Sequence, residues 1–327
     1  MKKLVDQKIF EKIHQSHDFL IVSHVRPDAD AVGSLLGLGL ALINQEKNVQ
    51  MVLADGAGRF EYLPKVNLIT RSPSGKADMI IVVDCSDIKR VGGLKAELGK
   101  PDLVVDHHKT NDRYGVYNIV EPDQVATAAI LFDHLPEWGL SFDPEIATCL
   151  LSGIVGDTIG YRTPNVNAEV MRKSAALMDL GANLADIYRE ELVMKSFKAY
   201  KYWGSGLSRL KVQDGLVWTC LTLADRLDIG YPENDDADLV NILSAVREAR
   251  IALIFVEQSQ NEVKISWRAR PGWDVSGIAY EFGGGGHAAA AGADVEGNLE
   301  DVRKRVIPRT IELLNQQTNE LEMEKTT

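Results

Sequence analysis

The chain has 327 residues, 45% hydrophobic and 25% charged, a balance that belongs to an ordinary folded protein and excludes disordered, collagen-like and disulfide-scaffold classes. Its length predicts two domains, because single hydrophobic cores stop growing at roughly 250–300 residues. With 36 basic and 47 acidic side chains the net charge is −11, which argues against a broad grip on duplex nucleic acid and leaves room for a small anionic ligand held by metal ions and a few arginines.

In chain order, short apolar runs at 19–23, 49–54, 79–83 and 103–105 read as buried strands, and residues 30–45, 126–134, 143–154, 167–180 and 184–192 as helices. Leu35, Leu36, Leu38, Leu40 and Leu42 give the first of these helices a core stripe, and Gly33, Gly37 and Gly39 give it room for close packing. The alternation predicts an α/β fold, an open and mainly parallel sheet with flanking helices over residues 1–190. A helix over 197–210 reads as a connection, with a helical linker at 191–205. Strands at 216–221, 251–256 and 262–267, with helices at 237–247 and 299–315, then predict a smaller α/β domain over 206–315. The polar tail 316–327 is expected to fray.

Three cysteines, Cys85, Cys149 and Cys220, lie far apart without a C-x-x-C pair, which suggests neither a disulfide framework nor a zinc ribbon. No stretch reaches the roughly 18 apolar residues that span a bilayer, and Asp6 and Lys8 interrupt the start before a signal-peptide core could form. A cytoplasmic protein without membrane contact is the expectation.

Three apolar runs end alike. The first leads into His24, Asp28 and Asp30, the second ends on Asp84, and the third on Asp106-His107-His108. Open α/β sheets bind ligands outside the carboxyl ends of their strands, so these residues should meet in one crevice, joined by Asp157 after an apolar helix. Taken singly each is ambiguous: Asp28 or Asp30 could cap the helix that follows, and a lone His24 reads as structural. Taken together, so many carboxylates and imidazoles are costly to bury unless cations compensate them. Asp28, Asp30, Asp84 and Asp157 carry four negative charges, which two divalent ions balance. Without thiolate, the set favours Mn²⁺, with Mg²⁺, Co²⁺ or Fe²⁺ as alternatives, over structural zinc. Two such ions roughly 3.5–4 Å apart can share a hydroxide and clamp a phosphoryl group. Asp106 is better suited to orienting a ligating histidine from behind than to binding metal itself.

In the second domain, Gly283-Gly-Gly-Gly-His287 lacks the Gly-Lys-Ser/Thr of a P-loop and the setting of a dinucleotide fingerprint. By itself it reads either as a flexible loop beside a small-residue surface or as a phosphate cradle, in which glycines bring successive N–H groups to an anion and His287 adds a donor. Arg268 and Arg270 offer planar forks for a terminal phosphate, Arg268 first. Trp267 and Trp273 read as packing ahead of base stacking.

Together these motifs resemble the DHH-family phosphoesterases of the two-domain type with a DHH-associated C-terminal domain, the group of nanoRNA-degrading oligoribonucleases with pAp phosphatase activity. His24, Asp28 and Asp30 match the first motif, Asp84 the second, Asp106-His107-His108 the third, Asp157-Thr158 the fourth, and Gly283 to His287 the C-terminal hallmark. The resemblance implies two manganese ions, one held by His24, Asp28 and Asp84 and the other by Asp30, Asp84, His107 and Asp157. Asp84 would bridge them, and His108 would face the scissile phosphate as a catalytic group. Arg268, Gly283, Gly284, Gly285, Gly286 and His287 would bind substrate. The implied reaction is hydrolysis, by a hydroxide shared between the ions, of short single-stranded RNA to mononucleotides and of 3′-phosphoadenosine 5′-phosphate (pAp) to AMP, in a chain that forms homodimers. A stand-alone cyclic-di-AMP or pApA phosphodiesterase shares the motifs and is the alternative. A noncatalytic nucleotide sensor is disfavoured by the complete ligand set. Many relatives have Asp-Thr-Gly in the fourth motif where this chain has Asp157-Thr-Ile-Gly160, which leaves the roles of Tyr161 and Arg162 open.

Overall fold

The structure, a computed structural model, describes residues 2–324. The chain divides between Met194 and Lys195 into two compact units, each with its own core.

The first unit runs α1 (Lys2–Gln15), β1 (Asp18–Val22), α2 (Ala29–Ile43), β2 (Asn48–Val52), β3 (Ile69–Thr70), β4 (Met79–Val83), α3 (Lys95–Leu98), β5 (Leu103–Asp106), β6 (Tyr117–Val120), α4 (Thr127–His134), α5 (Pro144–Asp157), α6 (Ala168–Asp179) and α7 (Leu184–Tyr188). The helical stretch expected to 192 ends in a π-turn, Arg189–Val193. All six strands are parallel, in the order β3-β2-β1-β4-β5-β6. The central strands are apolar on both sides because both faces are covered. Phe19, Ile21 and Ile81 join the core of α2 and α5, while Leu20, Val22, Val82 and Val104 meet Val91, Leu94 and Leu98. Successive strands move outward from β1 to β3, and β4 returns to the other side of β1. The carboxyl ends of β1 and β4 therefore flank the point where strand order reverses, the usual ligand crevice of such sheets.

Helix α2 is buried along nearly its whole length and lies directly on α5. A Cβ at Gly33 would come within 2.4 Å of the Cys149 carbonyl oxygen, so only glycine permits this approach.

The second unit runs α8 (Phe197–Leu207), β7 (Lys211–Gln213), β8 (Leu216–Leu221), α9 (Leu223–Ile229), α10 (Leu239–Leu243), β9 (Ile251–Ser259), β10 (Glu262–Ala269), α11 (Ser276–Glu281), β11 (Gly285–His287), β12 (Ala290–Glu296) and α12 (Leu299–Glu324). Its mixed sheet has the order β11-β12-β10-β9-β8-β7, with only β8 and β9 parallel. Helix α8 opens the second unit, where Ala199 and Tyr202 are buried with Val217 and Leu221. The helix expected at 237–247 shrinks to α10, its start set by left-handed Ala237 and Asp238 (φ 53° and 65°).

Helix α12 continues past 316, where fraying was expected. Gln317 holds it by accepting from the Asp274 N–H (3.0 Å) and donating to the Asp274 carbonyl (2.7 Å). Residues 325–327 of the expected tail lie outside the described residues. Among the described residues no helix is long and apolar enough to cross a membrane.

Candidate active site

The site is assembled at the carboxyl ends of β1, β4 and β5. Ser23 ties the first two together by donating Oγ to the Val83 carbonyl (2.7 Å). His24 follows, 2% exposed, with Nδ1 against the Val25 carbonyl (2.9 Å). A donor role for Nδ1 leaves the Nε2 lone pair directed at carboxylates, Asp84 Oδ2 at 3.5 Å and Asp28 Oδ2 at 3.8 Å. Backing a histidine with a carbonyl in this way is how proteins fix a metal-ligating tautomer.

Asp28 fulfils both readings open to it. Its Oδ1 caps α2 by accepting from the Asp30 and Ala31 N–H groups (3.1 and 3.0 Å), and its Oδ2 faces His24. Asp30 is fully buried and pointed at α4, whose N-terminus has no side-chain cap of its own. Its carboxylate accepts from the N–H groups of Thr127 (2.6 Å) and Ala128 (2.9 Å) and from Ser34 Oγ (3.1 Å).

Asp84 is the centre of the arrangement. It leaves β4 in a left-handed conformation (φ 50°), a geometry that costs about 1–3 kcal/mol and persists where surroundings enforce it. Its carboxylate lies 3.5 Å from His24 Nε2, 3.7 Å from His107 Nε2 and 3.6 Å from His108 Nδ1, and accepts from Thr127 Oγ1 at 3.0 Å. Asp157, the last residue of α5, brings Oδ2 to 3.1 Å from His107 Nε2.

Three groups of donor atoms result, each within 4.8 Å of one another: His24, Asp28 and Asp84; Asp30, His107 and Asp157; and Asp84, His107 and His108. In the last, His108 Nδ1 is engaged by Asp106 Oδ1 at 2.7 Å, and Asn111 holds the other Asp106 oxygen at 2.6 Å. Of the two adjacent histidines, Asp106 therefore orients His108.

Charges confirm the strain of packing these groups. Burial acts to raise the Asp84 carboxyl, but the neighbouring imidazoles of His24, His107 and His108 outweigh it and hold Asp84 well below the usual range. Burial, with the charges of Asp84 and Asp157, pushes Asp30 far up. Asp157 is raised to about 6, by burial first, against its hydrogen bond with His107. Burial opposes a charge on His107, yet Asp157, Asp84 and Asp30 raise it to about 11. Opposed shifts of this kind, produced by burial and by specific charged neighbours, mark a cluster of acids and histidines as a candidate functional site. Cys85, next to Asp84, is no ligand: burial pushes its thiol up to about 12 and Sγ donates to the Asp87 carbonyl (3.2 Å). The oxygen and nitrogen donor set fits hard or borderline divalent ions.

In the second unit the glycine run passes from a turn at Gly283 into a strand. Gly285–His287 form edge strand β11, and a Cβ at Gly284 would lie 2.0 Å from the Gly292 carbonyl oxygen, so close approach to β12 requires glycine there. Cross-strand register sets Arg268 opposite Ala290 and Ala290 opposite His287, one row on one face of the sheet with a methyl group between the two basic residues. Arg268 Nε donates to Asn241 Oδ1 (3.0 Å) and Nη1 to the Trp267 carbonyl (3.0 Å). Arg270 is engaged by the Val246 carbonyl (2.8 Å). Trp267 is fully buried with Nε1 on Thr310 Oγ1 (3.3 Å), so it packs and stacks no base; Trp273 lies under the Arg250 guanidinium. Near Asp157, Ile159, Gly160 and Tyr161 are all left-handed, and the Tyr161 N–H donates to Thr158 Oγ1 (2.9 Å). Thr127, Asn111 and Asn241 were missed in the sequence. Only Asn111, three residues beyond the Asp-His-His run, carried a positional signal.

A parallel sheet with this cluster at its point of reversal, joined to a second α/β unit, defines a hydrolase of the phosphoesterase class. The chain belongs to the DHH family: the model for the DHH family N-terminal domain matches residues 18–154, and that for the DHHA1 domain residues 222–317. It is 33% identical over 292 residues to the bifunctional oligoribonuclease and PAP phosphatase NrnA of Thermus thermophilus, covering 88% of this chain and 87% of that one. The Bacillus subtilis protein of the same name is 23% identical over 278 residues, covering 83% and 87%. Among solved structures, an exopolyphosphatase-related protein from Bacteroides fragilis superposes with a TM-score of 0.88 at 25% identity over 95% of this chain and 98% of that one.

Proposed function

We propose that the chain hydrolyses short oligoribonucleotides to mononucleotides and pAp to AMP. The observation that carries the reading is Asp84, one carboxylate within 3.5–3.7 Å of nitrogens from three histidines and shared by two donor groups. His24, Asp28 and Asp84 would hold one divalent ion and Asp30, Asp84, His107 and Asp157 a second, with manganese the first choice. When bound, such a pair supplies Lewis acidity toward phosphate oxygens and lowers the pKa of the attacking water.

The chain's own groups do the rest. The α4 N–H groups fix Asp30, and Thr127 fixes Asp84. His108, aligned by Asp106, stabilises the charge that develops on the phosphoryl oxygens. The row of Arg268 and His287 beside the glycine strand binds a phosphate of the ligand, with Asn241 setting the guanidinium. The substrate class is supported by the names of the Thermus and Bacillus relatives, and the acidic net charge of −11 supports short single strands over duplex.

A side-by-side turnover assay with Mn²⁺ tests the reading, on a 5′-labelled RNA dinucleotide, pAp, cyclic-di-AMP and pyrophosphate, with chelator controls. Mononucleotide release from the dinucleotide and phosphate release from pAp, both lost on chelation, are expected. Dominant cleavage of cyclic-di-AMP, or binding of RNA without cleavage, overturns it.

A further inference from the structure

The second unit has a pocket of about 240 Å³ on the face of its sheet opposite Arg268. Trp267, Leu253 and Trp218 share the face covered by α12, whereas Arg268 turns to Asn241 of α10 on the other. Lys211 of β7 and Trp218 of β8 are cross-strand partners at the pocket, Cys220 lies two residues along, and Arg209 and Arg303 close it.

Two buried donors on residues of its lining have no acceptor among the described residues, the Nε1–H of Trp218, a residue 8% exposed, and the Nε–H of Arg303. Buried polar groups without partners are rare in folded proteins and call for an absent ligand, ion or water. Both are donors only, which asks for an acceptor. Arg209 is matched by Asp225, and Arg303 reaches Glu300 at 3.5 Å through Nη1, but among the described residues Lys211 has no ion-pair partner. The remaining lining is the Trp218 indole, Thr219, the Cys220 thiol and the apolar stems of the long side chains, a wall that can take a flat ring.

We propose that this pocket binds a nucleoside monophosphate, with its phosphate on Lys211 and Arg303 and its base along Trp218. The choice of ligand rests on the hydrolase reading, since mononucleotides are the products of the proposed reaction. A pocket of this size suits a single nucleotide better than an oligoribonucleotide, so the site would take the mononucleotide released from RNA rather than the RNA itself.

The test is titration of AMP, adenosine and inorganic phosphate into the full chain carrying Arg268→Ala and His287→Ala, which removes the row on the other face. One saturable AMP event is expected, at least about tenfold tighter than either fragment and weakened at least about tenfold by adding Lys211→Gln or Arg303→Gln. Lys211 is exposed, so its replacement leaves the fold intact. Absence of AMP binding, AMP binding unchanged by both replacements, or phosphate binding as tight as AMP overturns the proposal. Dinucleotide turnover by the unaltered chain reports separately on the hydrolase reading.

Discussion

Asp106 and His107 are adjacent in sequence, yet the Asp106 carboxylate turns to His108 and Asn111. In the proposed function this separates holding metal from acting on substrate. Asp106→Ala should lower kcat about 10- to 100-fold, the usual cost of losing such a supporting partner, with metal content unchanged. Elemental analysis beside steady-state kinetics checks it, and loss of metal would instead put His108 among the ligands. The residues of the motifs were legible because each is an acid or histidine closing an apolar run. Thr127 and Asn241 were not, since their partners Asp84 and Arg268 lie 43 and 27 residues away and only the folded chain joins them.

Helices α2 and α5 deliver Asp30 and Asp157 to the site, and their separation is set by atoms a side chain would displace. A Cβ at Gly153 would meet Asp30 Oδ1 at 2.7 Å and the Ala128 Cβ at 2.8 Å. Gly153→Ala is expected to destabilise the first unit by about 1–3 kcal/mol through overpacking, and to reduce metal content as Asp30 is pushed from α4. Thermal unfolding and elemental analysis measure the two effects. The strands β1, β4 and β5 were legible as β-branched runs. Strand β11 was not: Gly285 and Gly286 have little intrinsic preference for strand and pair through backbone alone. The end of α12 was hidden for a related reason, because the contact of Gln317 with Asp274 spans 43 residues.

At the scale of the whole molecule, the proposed metal-binding and phosphate-binding roles fall on separate units. The first carries every residue of the donor groups, and the second carries the Arg268, Ala290 and His287 row. Arg268→Ala should therefore raise KM for pAp more than it lowers kcat, with metal content unchanged, and Asn241→Ala should do the same more weakly because it removes only the partner of Nε. An unchanged KM in both would move the phosphate anchor elsewhere. Two units and their sheets were legible from the switch between alternating strand–helix patterning and the later strand-rich stretch. The allocation of α8 to the second unit was not, because the burial of Tyr202 depends on Val217 and Leu221, which follow it.

In the proposed function Asp84 is shared by two metal positions whose occupation drives phosphoester hydrolysis. The most direct test counts manganese per chain in the unaltered protein and in Asp84→Asn, and measures turnover of an RNA dinucleotide by both. Two ions in the first, with loss of at least one ion and of turnover by more than about a thousandfold in the second, is the predicted result. Two ions and near-normal turnover retained in Asp84→Asn would contradict it.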